Sequence, residues 1–246
     1  MLAGIREILL ICTTNDLEAF QHLLGDGSPY GISISYKVQP SPDGLAQAYL
    51  LGEDFLGGDS SLMVLGDNIF HGASLGSHLQ DLGKTTSGAH IFTYPVSDPS
   101  QYGVLEIDDA GIPISIKEKP VGSKSNLAVT GLYYFDKNAP GIAREVTPSL
   151  RGELEITSII EHYLNKKDLS YSTLGRGHAW LDTGSPNSLH DAASYIKIIE
   201  ERTGQKIACL EEIAFKNGWI THIDISAQIE RFRRNDYAKY LMKLIE

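Results

Sequence analysis

Over the first eighty or so residues, short apolar runs alternate with stretches of helical periodicity, a rhythm that confines the chain to a few layered folds. Residues 8–13 read as a strand, and Asn15 or Asp16 then caps a helical stretch that runs to Leu24 and stops on Gly25. The unit repeats with a strand at 32–38, a Pro40/Pro42 turn and a helix at 45–55. It repeats again with an apolar strand at 61–65, a stop at Gly66-Asp67-Asn68 and a helix at 74–82. Strand–helix–strand connections return the chain parallel to itself, so an α/β fold is predicted, with a mixed, mainly parallel sheet flanked by helices.

From residue 89 the helices drop out. Strands are expected at 89–96, 103–107, 112–117 and 129–135, forming an antiparallel extension of the sheet. A periodic helix follows Gly152, with Ile156, Ile159, Ile160, Tyr163 and Leu164 on one face, and then strands at 171–174 and 179–182. The rest reads as helical: a long helix opened by Ser185-Pro186 and ending near Gly204, then helices at 207–216 and 237–245. No repeat, low-complexity linker or clear boundary appears, so residues 1–246 are expected to form one domain, with an α/β core at 1–184 and a helical part at 185–246. Met1 to Ala3 read as the last turn of a helix capped by Gly4, as though the chain began in mid-fold.

Composition excludes several classes. At 42% hydrophobic and 21% charged, the chain is neither disordered nor fibrous. Its longest apolar runs, at 8–12 and 62–65, are far too short to cross a bilayer, and Arg6 and Glu7 interrupt any signal-peptide pattern, so no membrane partner and a cytoplasmic location are expected. The two cysteines, Cys12 and Cys209, make neither a disulfide framework nor a zinc pattern and suit buried thiols in a reducing compartment. A formal charge of -10 with scattered Lys and Arg speaks against nucleic acid, although a small polyanion can still be held by a few cations, backbone N–H groups or a divalent metal.

Four segments could carry chemistry, and each has a plainer reading. Gly66-Asp67-Asn68 places an acid at a strand end, where ligands of open parallel sheets gather, and equally fits an Asx-turn or helix cap. Trp180-Leu181-Asp182-Thr183-Gly184 does the same, against the ordinary punctuation of Asp-Thr-Gly. Two such carboxylates in one sheet could hold Mg2+, which takes a couple of carboxylates and keeps positions for phosphate oxygens. In Glu118-Lys119-Pro120 the lysine could meet a phosphate and the glutamate sugar hydroxyls, or the pair could be an exposed ion pair before a turn. Gln39-Pro40-Ser41-Pro42-Asp43-Gly44 offers an amide suited to a pyrimidine imide edge and a glycine for close approach, or it is a Pro-rich connection. No Walker loop, dinucleotide glycine pattern, HExxH or GxSxG occurs, and the eight histidines lack ligand spacing.

Taken together, QPSPDGLAQA, VLGDNIF, YGVLE, EKP, AVTGLYYF, RGELEIT, GRGHAWLDTG and KIACLEEIAFKNGW, in that order and nearly end to end, resemble the glucose-1-phosphate thymidylyltransferase family. The resemblance implies a Rossmann-like fold of the nucleotide-diphospho-sugar transferase type. It also implies a Mg2+-dependent, sequential reaction of dTTP with glucose 1-phosphate that yields dTDP-glucose and pyrophosphate. By the same resemblance, the base-reading positions fall on Gln39 and Gly44, and the metal-binding carboxylates on Asp67 and Asp182. Sugar and sugar-phosphate contacts fall on Gly103, Glu118, Lys119 and Val129, with Asn68, Tyr102 and Trp180 around the pocket; Asp67, Lys119 and Asp182 would serve catalysis. Assembly as a homodimer or homotetramer through the part from Ser185 onward is implied too, with a second nucleotide site there.

Family members carry a strand, an Arg-bearing Gly-rich loop, a lysine-bearing segment and a helix ahead of the position matching Met1. Without that phosphate cradle, weak turnover is the expectation, and a non-catalytic sugar-nucleotide-binding or oligomer-forming role is the alternative. A sugar-nucleotide-dependent glycosyltransferase is a third reading, against which the lack of a D-x-D after the sheet strands counts.

Overall fold

The structure, a computed structural model, describes residues 1–85, 87–233 and 235–246. In chain order it runs β1 (Glu7–Cys12), α1 (Leu17–Leu24), β2 (Ser33–Val38), α2 (Gln47–Leu51), α3 (Glu53–Leu56), β3 (Ser61–Val64), β4 (Asn68–Gly72) and α4 (Leu75–Thr85). Then come β5 (Ala89–Pro95), β6 (Gly103–Ile107), β7 (Pro113–Glu118), β8 (Leu127–Phe135), α5 (Ala139–Glu145), α6 (Ile156–Asn165), β9 (Leu169–Thr173) and β10 (His178–Asp182). The helices α7 (Pro186–Thr203), α8 (Leu210–Lys216), α9 (His222–Arg231) and α10 (Asp236–Met242) close the chain.

The mixed α/β class holds, but parallel pairing is the lesser part of it. Among the described strands only β1 with β2 and β5 with β9 run parallel; every other pair is antiparallel. The reason is local: β5 to β8 follow one another without crossover helices, and a strand that turns straight back can only pair antiparallel. The helix expected at 45–55 is broken at Gly52 into α2 and α3. The segment after Asp67, expected to lead directly to a helix, forms β4 first; α5 and α9 also lie outside the helices named from sequence.

Contacts divide the chain into two compact units. The first combines residues 1–38, 75–80 and 193–246, so most of the helical C-terminal part belongs with the N-terminal strands. Its core gathers Tyr30, Ile32, Cys209, Ala214, Ile220, Ile225 and Leu241. Cys209 is the N-cap of α8 and is buried; Cys12, on β1, is half-buried, and both are free thiols. The side chain of Glu211 is also buried here and its Oε2 accepts from the Tyr237 hydroxyl, as a buried polar group requires. A capping box between Thr221 and Asp224 starts α9, and the Asn235 side chain, accepting from Ala238 N, starts α10.

The second unit comprises residues 39–74 and 81–192. Its sheet has the order β7-β6-β8-β5-β9, with β3 also on β8, and β4 and β10 form a separate two-stranded ladder. Helix α6 turns the face named from its periodicity, Ile156, Ile159, Ile160 and Tyr163, into the core. Phe135, at the end of β8, sits among the rings of Tyr49, Tyr133 and Tyr163 at centroid distances of 5.4, 6.2 and 5.7 Å. The central strand β8 is buried from Ala128 to Phe135, and one of its edges is shared. β6 pairs with residues 127 and 128, and β3 with residues 132 to 135. Residues 129 to 131 are thus left open on that edge, and their unpaired backbone needs other partners.

Candidate active site

The β4–β10 ladder brings the two acids together. Asn68 lies opposite Asp182 in its register, so Asp67, one residue before β4, falls beside the end of β10. Thr183 donates to the Asp67 carbonyl from both its backbone N–H and its hydroxyl, each at 2.8 Å. A methyl placed on Gly184 would lie 3.1 Å from Asp182 Oδ1 and 3.6 Å from Asp67 Oδ2. The two oxygens are therefore no farther apart than those distances combined, inside the roughly 8 Å that one octahedral ion and its waters bridge. The convergence arises differently from the sequence expectation: the acids stand at the start of one strand and the end of its antiparallel neighbour, not at the carboxyl ends of parallel strands. Turn chemistry is present as well, since Gly184 N donates to Asp182 Oδ1 at 3.0 Å.

The open stretch of β8 forms the floor of a cavity of about 140 Å³, roughly ten times the room one water needs. Leu65 N donates to the Gly131 carbonyl at 2.9 Å, and Gly131 N donates to Asn68 Oδ1 at 3.1 Å, so both backbone groups of Gly131 are satisfied from the β3–β4 corner. Trp180 forms a wall, its indole N–H bonded to Asn68 Oδ1 at 2.6 Å and its ring 5.0 Å from that of Tyr102. Burial, and next the charge of Asp182, push the Tyr102 phenol above its ordinary value.

Opposite lies a group of acids. Glu118, at the end of β7, is half-buried; desolvation first, then the neighbouring Glu155, raise its carboxyl above the usual glutamate range. Lys119, Arg151 and a hydrogen bond with Thr157 pull the other way. Arg151 Nη1 stands 3.6 Å from Glu118 Oε1 and 3.7 Å from Glu155 Oε1, tying the two like charges together. Asp67, Glu118, Glu155 and Asp182 all line the cavity, and among the described residues no Lys or Arg does. Among the described residues no three His, Cys, Asp or Glu side chains make a metal cage by themselves. Two converging carboxylates with phosphate oxygens still to come match the way Mg2+ is held, and the hard oxygen donors of Asp67 and Asp182 fit that ion.

The residues singled out from sequence fall into two groups. Asp67, Asn68, Tyr102, Gly103, Glu118, Val129, Trp180 and Asp182 line this one cavity. Gln39, Gly44 and Lys119 do not. Lys119 is exposed, held in the left-handed region at φ 41° by its N–H bond to the Tyr102 carbonyl. Gln39 Nε2 donates to Gln47 Oε1 at 2.6 Å, and Gln47 in turn donates to Asp43. Gly44, at φ 111°, does permit a close approach, but to the backbone of Leu154, whose carbonyl oxygen would stand 2.4 Å from an added methyl. Gly131, Glu155 and Thr157 were not named from sequence. A glycine inside the strand pattern AVTGLYYF was the available signal for Gly131, since it marks close approach by another group.

Comparison with known proteins bears on this arrangement. Residues 1–198 match the family model described as Nucleotidyl transferase. A glucose-1-phosphate thymidylyltransferase of Neisseria gonorrhoeae is 49% identical over 245 residues, 100% of this chain and 85% of that protein. One of Xanthomonas campestris is 52% identical over 244 residues, 99% of this chain and 83% of its own. The solved structure of a Bacillus anthracis protein assigned to the same activity, in complex with sucrose, superposes with a TM-score of 0.72 at 36% identity, covering 78% of this chain and 77% of the other.

Proposed function

Because the chain belongs to the nucleotidyl transferase family, of the glucose-1-phosphate thymidylyltransferase kind, we propose that its acid-lined cavity is where glucose 1-phosphate meets dTTP. The reaction forms dTDP-glucose and pyrophosphate. A phosphate oxygen of glucose 1-phosphate attacks the α-phosphorus of dTTP; the new P–O bond forms as the bond to the β-phosphate oxygen breaks, and pyrophosphate departs in line. The substrate brings its own nucleophile, so the protein's work is alignment, charge neutralisation and exclusion of water. No covalent enzyme intermediate is needed.

In this reading Asp67 and Asp182 hold Mg2+, which when bound neutralises phosphate charge. Glu118 accepts from sugar hydroxyls, with the Gly103 and Val129 backbone beside it, while Trp180 and Tyr102 provide flat apolar walls for the ring. Lys119, exposed next to Glu118, meets the sugar phosphate as a point charge. Gln39 and Gly44 read the thymine, the Gln39 carbonyl oxygen and its second N–H lying beyond the bond to Gln47. The observation that carries the assignment is a cavity lined by four carboxylates and, among the described residues, by no Lys or Arg, and walled by Trp180 and Tyr102: a setting for a hydroxyl-rich ligand and a divalent ion.

The test is pyrophosphate release from dTTP and glucose 1-phosphate with Mg2+ titrated. Asp67→Asn and Asp182→Asn are expected to lose about a hundredfold or more in kcat, and Glu118→Ala to raise KM for glucose 1-phosphate. Rates independent of Mg2+, or unaffected by either Asp substitution, would remove the metal assignment. Assembly into a homodimer or homotetramer is part of the same proposal, supported by the exposed Leu189 and Ile198 of α7, and sedimentation at micromolar concentration tests it. No helix among the described residues is long and apolar enough to cross a membrane, and a cytoplasmic location fits the substrates.

A further inference from the structure

The side chain of Asn68 is almost wholly committed within the protein. Its Oδ1 accepts from Trp180 Nε1 at 2.6 Å and from Gly131 N at 3.1 Å, and its Nδ2 donates to Asp67 Oδ1 at 2.8 Å. Two N–H donors face one end of the amide and a carboxylate faces the other, so only one orientation satisfies all three. Both lone pairs of the oxygen are taken; a single N–H is left. The partners come from three places: the corner before β4, the open edge of β8, and β10. Gly131 makes room for the arrangement, because a methyl there would stand 2.6 Å from Asn68 Oδ1.

An exposed Asp67 would otherwise turn freely about its side-chain torsions. Bonded to Asn68 through Oδ1, it presents Oδ2, the oxygen nearest Gly184, toward Asp182. We propose that Asn68 is a positioning residue that locks the Asp67 carboxylate and the Trp180 ring to each other through one shared amide, and that it does not read the substrate. The consequence for the cation rests on the assignment of Asp67 and Asp182 as its ligands. Removing an outer partner of a metal ligand commonly costs about ten- to a hundredfold in affinity.

The experiment uses the 246-residue chain and two readouts. One is Mn2+ affinity by electron paramagnetic resonance; the other is the indole N–H resonance of Trp180 by NMR, with Trp219→Phe to tell the two tryptophans apart. Asn68→Ala is expected to weaken Mn2+ about tenfold or more and to move the Trp180 resonance; metal-free dTDP-glucose affinity is followed beside them by calorimetry. Asp67→Ala is expected to move the Trp180 resonance too, because the link runs through Asn68, and this substitution lies on an exposed residue outside the core. Asn68→Ala with both readouts unchanged overturns the proposal. So does a tenfold loss of dTDP-glucose affinity with Mn2+ binding intact, the mark of a residue that reads the ligand. A parent chain that binds no Mn2+ would instead remove the metal assignment; the Trp180 resonance in Asp67→Ala then decides the linkage by itself, a shift upholding it and no shift ending it.

Discussion

Thr183 gives both its donors, the backbone N–H and the side-chain hydroxyl, to the carbonyl oxygen of Asp67. The two strand ends that carry the acids are thus stapled at one atom. Thr183→Val keeps the shape and one of the bonds. A loss of about 0.5–1.5 kcal/mol follows from the other, seen as a melting temperature lower by about 1–6 °C in calorimetry. A variant that melts with the parent would mean that water replaces the hydroxyl at no cost.

Gly184 sits between the two carboxylates, and no positive φ is involved there. Gly184→Ala should therefore fold normally yet press a methyl against oxygens that an ion has to reach. The expected result is Mn2+ affinity reduced by about tenfold with the melting temperature nearly unchanged. Loss of fold without loss of affinity in the folded fraction would contradict it.

Gly131→Ala intrudes on Asn68 from the floor of the cavity, 2.6 Å from its amide oxygen. Either the amide moves and Trp180 Nε1 loses its acceptor, or β8 shifts within the core. Both cost stability, about 1–3 kcal/mol, and denaturant unfolding measures it. A neutral effect would show that the open edge of β8 is more yielding than its burial implies.

Glu118 is held above its ordinary value of 4.5, chiefly by burial. A carboxyl whose folded value is raised stabilises the fold below its unfolded value, and that contribution is lost as pH rises through the folded one. Glu118→Gln has no such loss. The variant's melting temperature should match the parent's near pH 4 and exceed it increasingly toward neutrality, with sugar binding weakened throughout. An advantage that grew toward acid instead would reverse the sign of the burial argument.

Much of this was legible from residue order. The strands at 103–107 and 179–182 and the buried face of α6 followed from period-2 and 3.6 patterns, and the cavity gathers most of the residues singled out. Pairing partners were not legible, because β4 is five residues long and its partner lies over a hundred positions away, which no local pattern encodes. Thr183 read only as turn punctuation for the same reason, its importance being a contact; Gly131 had a signal, a glycine inside a strand pattern, but the group that approaches it had none. Gly44 was legible as a site of close approach, but the group that approaches it, Leu154, was not.

The β4–β10 ladder also bears on how the molecule comes into being. Its members, Asn68 and Asp182, belong to segments separated by most of the second unit's chain, so the ladder closes a long loop and must bear the entropy of doing so. During synthesis Asp67 leaves the ribosome well before Asp182, and until the later strand docks, the earlier acid lacks the second carboxylate and the cavity lacks its Trp180 wall. Folding intermediates that lack β10 are therefore expected to carry the β8 core without any capacity for the substrate, which makes affinity for the sugar nucleotide a late marker of the native state.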